Sequence, residues 1–192
     1  MSTRKIVVGQ FVSLDGVVES PQTWHFPYLN DEMGAALGQL YAEADTLLLG
    51  RATYEEFAAV WPHQTGAMAD AINGVRKVVV STTLVDPDWQ NTTVVAHDVL
   101  REVARLKESP GRDIAVTGSI TLTQALLAAG LVDELRLLVH PIVLGAGRRL
   151  FADGGAFADG EAPGRGATRV PLALASSTTF ATGVLDLTYR PA

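Results

Sequence analysis

Six apolar runs recur along the chain, "KIVVGQFVS", "TLLLG", "RKVVVS", "TTVVA", "DIAVTG" and "ELRLLVHPIVLG", separated by segments of helical spacing or by turn residues. Most lack the strict in–out alternation of a half-solvated strand, so they read as strands covered on both faces. Strands of this kind, alternating with helices, predict an α/β protein with a mostly parallel sheet between two helical layers.

The intervening segments fit that plan. Met33, Leu37, Leu40, Tyr41 and Ala44 fall on one helical stripe, with Asn30 or Asp31 as N-cap. Tyr54, Phe57, Val60 and Trp61 form a second stripe that Pro62 ends, and a short helix from Ala67 stops at Asn73-Gly74. Asp98 is placed to cap a helix carrying Val99, Leu100, Val103 and Leu106. "SITLTQALLAAG" begins with hydroxyl residues and stops at Gly130. Pro141 predicts a bend, a bulge or an edge position in the sixth run. "LALASSTTF" and "GVLDLTYR" flank Ala181-Thr182-Gly183 as an antiparallel hairpin. The stretch from Ala152 to Pro171 has little periodicity and reads as a long surface loop. No repeat or linker composition interrupts the chain, so a single domain over residues 1–192 is expected.

Composition removes several chemistries. The chain has no cysteine, which excludes disulfides, thiolate metal sites and a cysteine nucleophile. Its histidines, His25, His63, His97 and His140, are dispersed, so no metal site is expected. A formal charge of −6 argues against a nucleic-acid partner. No apolar segment has the length of a membrane span or signal peptide, and a cytoplasmic protein is expected.

In an open α/β sheet, ligands bind beyond the carboxyl ends of the strands. Three such ends are alike here. "LLLG" leads into Gly50, Arg51 and Thr53; "KVVVS" into Ser81, Thr82 and Thr83; "IAVTG" into Gly118, Ser119, Ile120 and Thr121. Free N–H groups at the following helix starts suit phosphate. A cation at a helix N-terminus is normally unfavourable, but Arg51 makes sense if it faces an anion. Its simpler reading is a pair with Glu55 or Glu56, and that of Thr53 is a helix cap. A P-loop, a complete GxGxxG fingerprint and a GxSxG elbow are all missing.

"GRATYE" after a buried strand resembles the GRxTxE turn of the dihydrofolate reductase superfamily. "FVSLDG" and "GLVDELRLLVHPIVLGAGRRLF" resemble the reductase domain of bifunctional riboflavin-biosynthesis deaminase–reductases. The likeness runs from about Lys5 to Phe151, and the final hairpin fits the fold. It implies a dihydrofolate reductase-like three-layer fold with a mostly parallel sheet of about eight strands and an antiparallel hairpin at its end. It also implies NADPH as cofactor, a small-molecule substrate and a homodimer. Arg51 and Thr53 would then meet the cofactor phosphates. Ser81, Thr82 and Thr83 would lie by the ribose 2′-phosphate, and Gly118, Ser119, Ile120 and Thr121 would wrap the pyrophosphate. Family members commonly have two glycines where this chain has Gly118-Ser119; the serine is expected to present its backbone N–H to the cofactor.

For the substrate, the resemblance implies a planar heterocycle, pterin- or aminopyrimidine-like, of which 5-amino-6-(5-phosphoribosylamino)uracil is one example. Asp31 is the first candidate for the acidic partner and Asp15 the second; their alternatives are helix N-terminal charge and turn closure. Trp24, Phe26 and Tyr28 are either a stacking wall for that heterocycle or packing beneath their own loop. A module that binds NADPH without turnover is the alternative function.

Overall fold

The computed structural model describes residues 4–151 and 169–192. The strands are β1 (Ile6–Ser13), β2 (Ala44–Gly50), β3 (Arg76–Val80), β4 (Thr92–Val95), β5 (Asp113–Thr117), β6 (Glu134–His140), β7 (Leu172–Thr179) and β8 (Leu185–Pro191). The helices are α1 (Asp31–Glu43), α2 (Arg51–Ala58), α3 (Ala67–Gly74), α4 (Val99–Glu108) and α5 (Ile120–Ala128). One eight-stranded sheet runs β4-β3-β2-β5-β1-β6-β8-β7. Its first six strands are parallel, and β8 is antiparallel to both β6 and β7. This is an α/β fold with a mostly parallel sheet and a C-terminal antiparallel hairpin, as the resemblance implied.

Each central strand divides its side chains between two cores. Ile6, Val8, Leu48, Ile114 and Val116 pack with Val103 of α4 and Leu122 and Leu126 of α5. Val7, Leu47, Leu49 and Ala115 face the other way, onto Leu40, Tyr54 and Ile72 of α1, α2 and α3. Burying such a side chain fully contributes about 1.5–3 kcal/mol, which is why the runs are apolar on both faces. Gly9 lets α1 approach the sheet, because a Cβ there would lie 2.7 Å from Leu40 Cδ2.

Some boundaries differ from the sequence reading. α2 ends at Ala58, and Trp61–His63 form a separate 3-10 turn, so Val60 is exposed and does not continue the stripe. Ala44 opens β2 instead of closing α1. β6 stops at His140: Pro141 ends the strand, consistent with its missing N–H. Asn30 caps α1 by accepting from the Met33 N–H at 3.0 Å. Asp98 sits at the N-cap of α4 in a left-handed conformation and makes no side-chain cap bond. The aperiodic stretch after Ala152 falls mainly on residues 152–168, outside the described residues.

Candidate active site

The three strand ends chosen from sequence are side by side. β2 lies between β3 and β5, with Gly50 level with Val80 and Leu48 level with Val116. Side-chain bonds then tie β2 to β5. The Gly50 N–H donates to Ser119 Oγ at 2.9 Å, and the Ser119 N–H donates to Thr53 Oγ1 at 2.9 Å. Gly118 has φ of +57°, and a Cβ on it would come within 3.0 Å of the Thr53 side chain. Ser119 also has positive φ, at 52°. Its N–H is therefore spent on Thr53 and is not offered to a ligand, contrary to the sequence expectation. The free donors at this edge are the first-turn N–H groups of α5, at Ile120 and Thr121, and those at the start of α2.

The side chains around this edge divide in two. Arg51 is about half exposed and pairs with Glu55 at 3.0 Å, so the helix pair read from sequence exists, at the rim of the site. Ser81 Oγ accepts from the N–H groups of Thr83 and Leu84 at 3.1 and 2.8 Å, closing the turn after β3 and leaving the Thr82 and Thr83 side chains exposed. Thr121 Oγ1 accepts from Arg148 Nη2 at 3.1 Å. Arg148 was not a sequence candidate; its only signal was "GAGRRLF" after the sixth run.

Asp15 serves as an anchor. Its carboxylate accepts from Ser13 Oγ at 2.7 Å and from the Leu144 and Gly145 N–H groups at 3.1 and 2.9 Å. These bonds hold its pKa down at about 2. A group so firmly ionised is a poor proton donor at neutral pH, so the turn-closing reading is the one the geometry supports. Asp31 stands exposed in the first turn of α1. Its neighbour Glu32 accepts from the Ala181 N–H at 2.7 Å, linking α1 to the β7–β8 turn.

Trp24 and Tyr28 favour the packing alternative, whereas Phe26 is exposed. His140 is fully buried and meets Trp24, Tyr28 and Phe11 edge-on at ring separations of 5.1, 5.5 and 5.5 Å. His25 stacks on Phe11 at a ring separation of 4.5 Å and meets Phe26 at 4.2 Å. Trp24 is buried and its indole N–H donates to Glu19 O at 3.0 Å. Burial lowers the pKa of both histidines, and among the described residues neither His140 Nε2 nor His25 Nδ1 has a hydrogen-bond partner.

A cleft of about 350 Å³ opens on the α1 face of the sheet. Phe11, Leu37, Leu40 and Leu138 supply its apolar wall; Arg136, Thr178, Asp186 and Thr188 supply polar groups from β6, β7 and β8. Thr117 also lines it, directly before Gly118, so cleft and strand-end cluster meet at one peptide. Asp15, Asp31, Trp24, Phe26 and Tyr28 are not in its lining. Sequence reading missed the hairpin residues, although "LDLTYR" alternates and places Asp186, Thr188 and Arg190 on one face.

Comparison with known proteins shows the family and the fold. The family model of the RibD C-terminal domain matches residues 4–185. The chain is 29% identical over 198 residues to the uncharacterized protein YyaP of Bacillus subtilis, covering 99% of this chain and 96% of that one. A putative riboflavin biosynthesis protein from Shewanella sp. PV-4 superposes with a TM-score of 0.74 at 20% identity, covering 98% of this chain and 99% of that one. Dihydrofolate reductase from Enterococcus faecalis, complexed with NADP(H), superposes with a TM-score of 0.61 at 14% identity, covering 97% and 96%. Among the described residues no helix is long and apolar enough to cross a membrane. The chain has a reductase-type fold and belongs to the RibD C-terminal domain family.

Proposed function

We propose that this protein is an NADPH-dependent reductase acting on a C=N or C=O bond of a small flat substrate. The observation that carries the reading is the meeting of two features at Thr117–Gly118. Two adjacent helix starts tied by the Gly50–Ser119–Thr53 bonds form one side; a half-apolar cleft forms the other.

The donor set suits a dinucleotide. First-turn N–H groups of α2 and α5, the Thr121 hydroxyl and the cations Arg51 and Arg148 stand on one edge of the sheet, where phosphates gain both hydrogen bonds and the helix dipoles. Arg51 would exchange part of its exposed pair with Glu55 for a phosphate, at small cost because such surface pairs contribute little. Ser81 shapes the turn that presents Thr82 and Thr83 to a ribose phosphate. When bound, NADPH supplies the hydride; the chain positions the acceptor and excludes water with Phe11, Leu37, Leu40 and Leu138.

Thermal unfolding with NADPH, with NADH and without nucleotide tests the reading. Ligand at about 100 times its Kd stabilises by about 2.7 kcal/mol, which raises Tm by roughly 5–10 °C for a domain of this size. The expected result is a larger shift with NADPH than with NADH, together with NADPH oxidation by some member of a pterin, pyrimidine and carbonyl panel. No shift with either nucleotide overturns the proposal. A shift without turnover on any acceptor leaves the non-catalytic binding module in its place.

A further inference from the structure

We propose that Gln10 is a positioning residue for the nucleotide. It holds the Gly118–Ser119 peptide with its carbonyl turned into the protein and its N–H turned to Thr53, so that this peptide aims no oxygen at a bound phosphate. The inference deepens the reductase reading and rests on it for the nucleotide; the holding of the peptide rests on the bonds around Gly118.

Gln10 is a polar residue at a core position. The alternate residues before it on β1, Ile6 and Val8, are fully buried among Val103, Leu122 and Leu126, and Gln10 itself is 5% exposed. A buried amide is costly unless it is bonded, so its bonds explain its presence. Gly9 is level with Thr117 of β5, which brings Gln10 beside Gly118. Its Nε2 donates to the Gly118 carbonyl and, at 3.2 Å, to Oγ1 of Thr123, a fully buried residue of α5. The Thr123 hydroxyl donates to the same carbonyl at 3.4 Å. A carbonyl can only accept, so the NH₂ end of the Gln10 amide must face it.

The opposite end of this peptide is the Ser119 N–H, bonded to Thr53 Oγ1 at 2.9 Å. That bond alone does not set the peptide's direction. Gly118, at φ of +57°, has no Cβ to resist reversal, and a threonine hydroxyl can accept from an N–H or donate to a carbonyl. Gln10 adds a donor from a neighbouring strand to the carbonyl that Thr123 also serves, and this biases the peptide to one direction. The next carbonyl, of Ser119, accepts from the Thr123 N–H at 2.9 Å, so both oxygens turn toward α5. Reversal would aim the Gly118 oxygen at the edge where α2 and α5 begin, against a phosphate and in competition with their first-turn N–H groups. Gln10 reaches the turn from β1, whose next residue, Phe11, walls the cleft, so one strand sets both halves of the site.

The test measures binding of NADPH and of adenosine 2′-monophosphate to the full chain by NMR titration. Gln10→Met, of similar size and without a donor, should weaken NADPH at least about tenfold. Adenosine 2′-monophosphate, which would reach only the Thr82–Thr83 end, should bind it as it binds wild type. Gln10→Glu separates direction from packing. Its carboxylate offers only acceptors to the Gly118 carbonyl, and its protonated form regains a donor. The NADPH affinity of Gln10→Glu relative to wild type should therefore recover on mild acidification, and that of Gln10→Met should not. In the ligand-free protein, hydrogen exchange at the Ser119 amide should quicken in Gln10→Met. Unchanged NADPH affinity in Gln10→Met, an equal loss for both ligands, or a Gln10→Glu deficit that ignores pH each overturns the proposal. A wild type that binds no NADPH overturns the reductase reading and this proposal together, whereas wild-type binding with any of those results overturns the proposal alone.

Discussion

Gly50 and Ser119 are joined by an N–H···Oγ bond of 2.9 Å, although they sit 69 positions apart in the chain. Ser119 accepts this bond in a left-handed conformation while its own N–H donates to Thr53. The serine thus replaces conformational ease with a cross-link between the ends of β2 and β5.

Substitution at Ser119 separates those two contributions. Ser119→Ala keeps the left-handed strain and loses the bond, so it should destabilise by about 1 kcal/mol. Ser119→Gly loses the same bond but relieves strain of comparable size, and should stay within about 0.5 kcal/mol of wild type. Urea denaturation of both variants checks this. Equal destabilisation by Ala and Gly would show that the conformation costs nothing.

Arg51 should matter to nucleotide and hardly at all to folding. Its ion pair with Glu55 is about half exposed at both ends, so Arg51→Ala should change stability by less than about 0.5 kcal/mol. NADPH affinity should fall by at least about tenfold, since a phosphate loses a charge-assisted partner. A larger loss for NADPH than for NADH would put Arg51 at the 2′-phosphate, and an equal loss at the pyrophosphate. Unchanged affinity for both would reduce the residue to a surface pair.

The His25–His140 cluster should make the protein acid-sensitive. Burial holds both groups below the ordinary histidine value of 6.5. Their neutral forms therefore favour the folded state fully above that value, and the contribution is lost as pH falls below it toward the depressed folded values. His140→Phe keeps an aromatic ring among Trp24, Tyr28 and Phe11 and removes the Nε2 that has no partner among the described residues. Unfolding free energies at pH 7.5, 6 and 5 should decline for wild type and decline less for this variant. Parallel slopes would show that His140 does not titrate on unfolding.

The fold was legible where local pattern and tertiary role agree. Runs such as Leu47–Leu49 and Ile114–Val116 are buried on both faces, and a doubly covered strand requires that composition. The stripe misled at Val60 because α2 ends at Ala58, in a turn that periodicity alone does not distinguish from helix, although Trp61 still packs with Tyr54 and Phe57 on one core. Glycine and hydroxyl residues marked the ends of β2 and β5 because α2 and α5 begin there with open first-turn donors. Asp15 and Asp31 stood out as acids near turns, yet sequence does not reveal that Asp15 is saturated by Ser13, Leu144 and Gly145. Asp186 was overlooked for the converse reason: an acid in an alternating hairpin strand looks solvated until a helix and two neighbouring strands enclose it.

Asp15 should behave as the clasp of the segment after β6. Its carboxylate holds the Leu144 and Gly145 amides, and Arg149 Nε donates to its carbonyl oxygen at 2.8 Å. With a folded pKa of about 2 against an ordinary 3.8, the clasp is complete above the ordinary value and is lost as pH falls through about 2. The Gly145 amide resonance should therefore titrate with a midpoint near pH 2 in wild type. Asp15→Asn, which leaves one amide oxygen as acceptor, should abolish that step and speed hydrogen exchange at Leu144 and Gly145 at neutral pH. A midpoint near the ordinary carboxylate value, or unchanged exchange in Asp15→Asn, would mean that the loop is held by Arg149 and the Val17–Arg149 bridge instead.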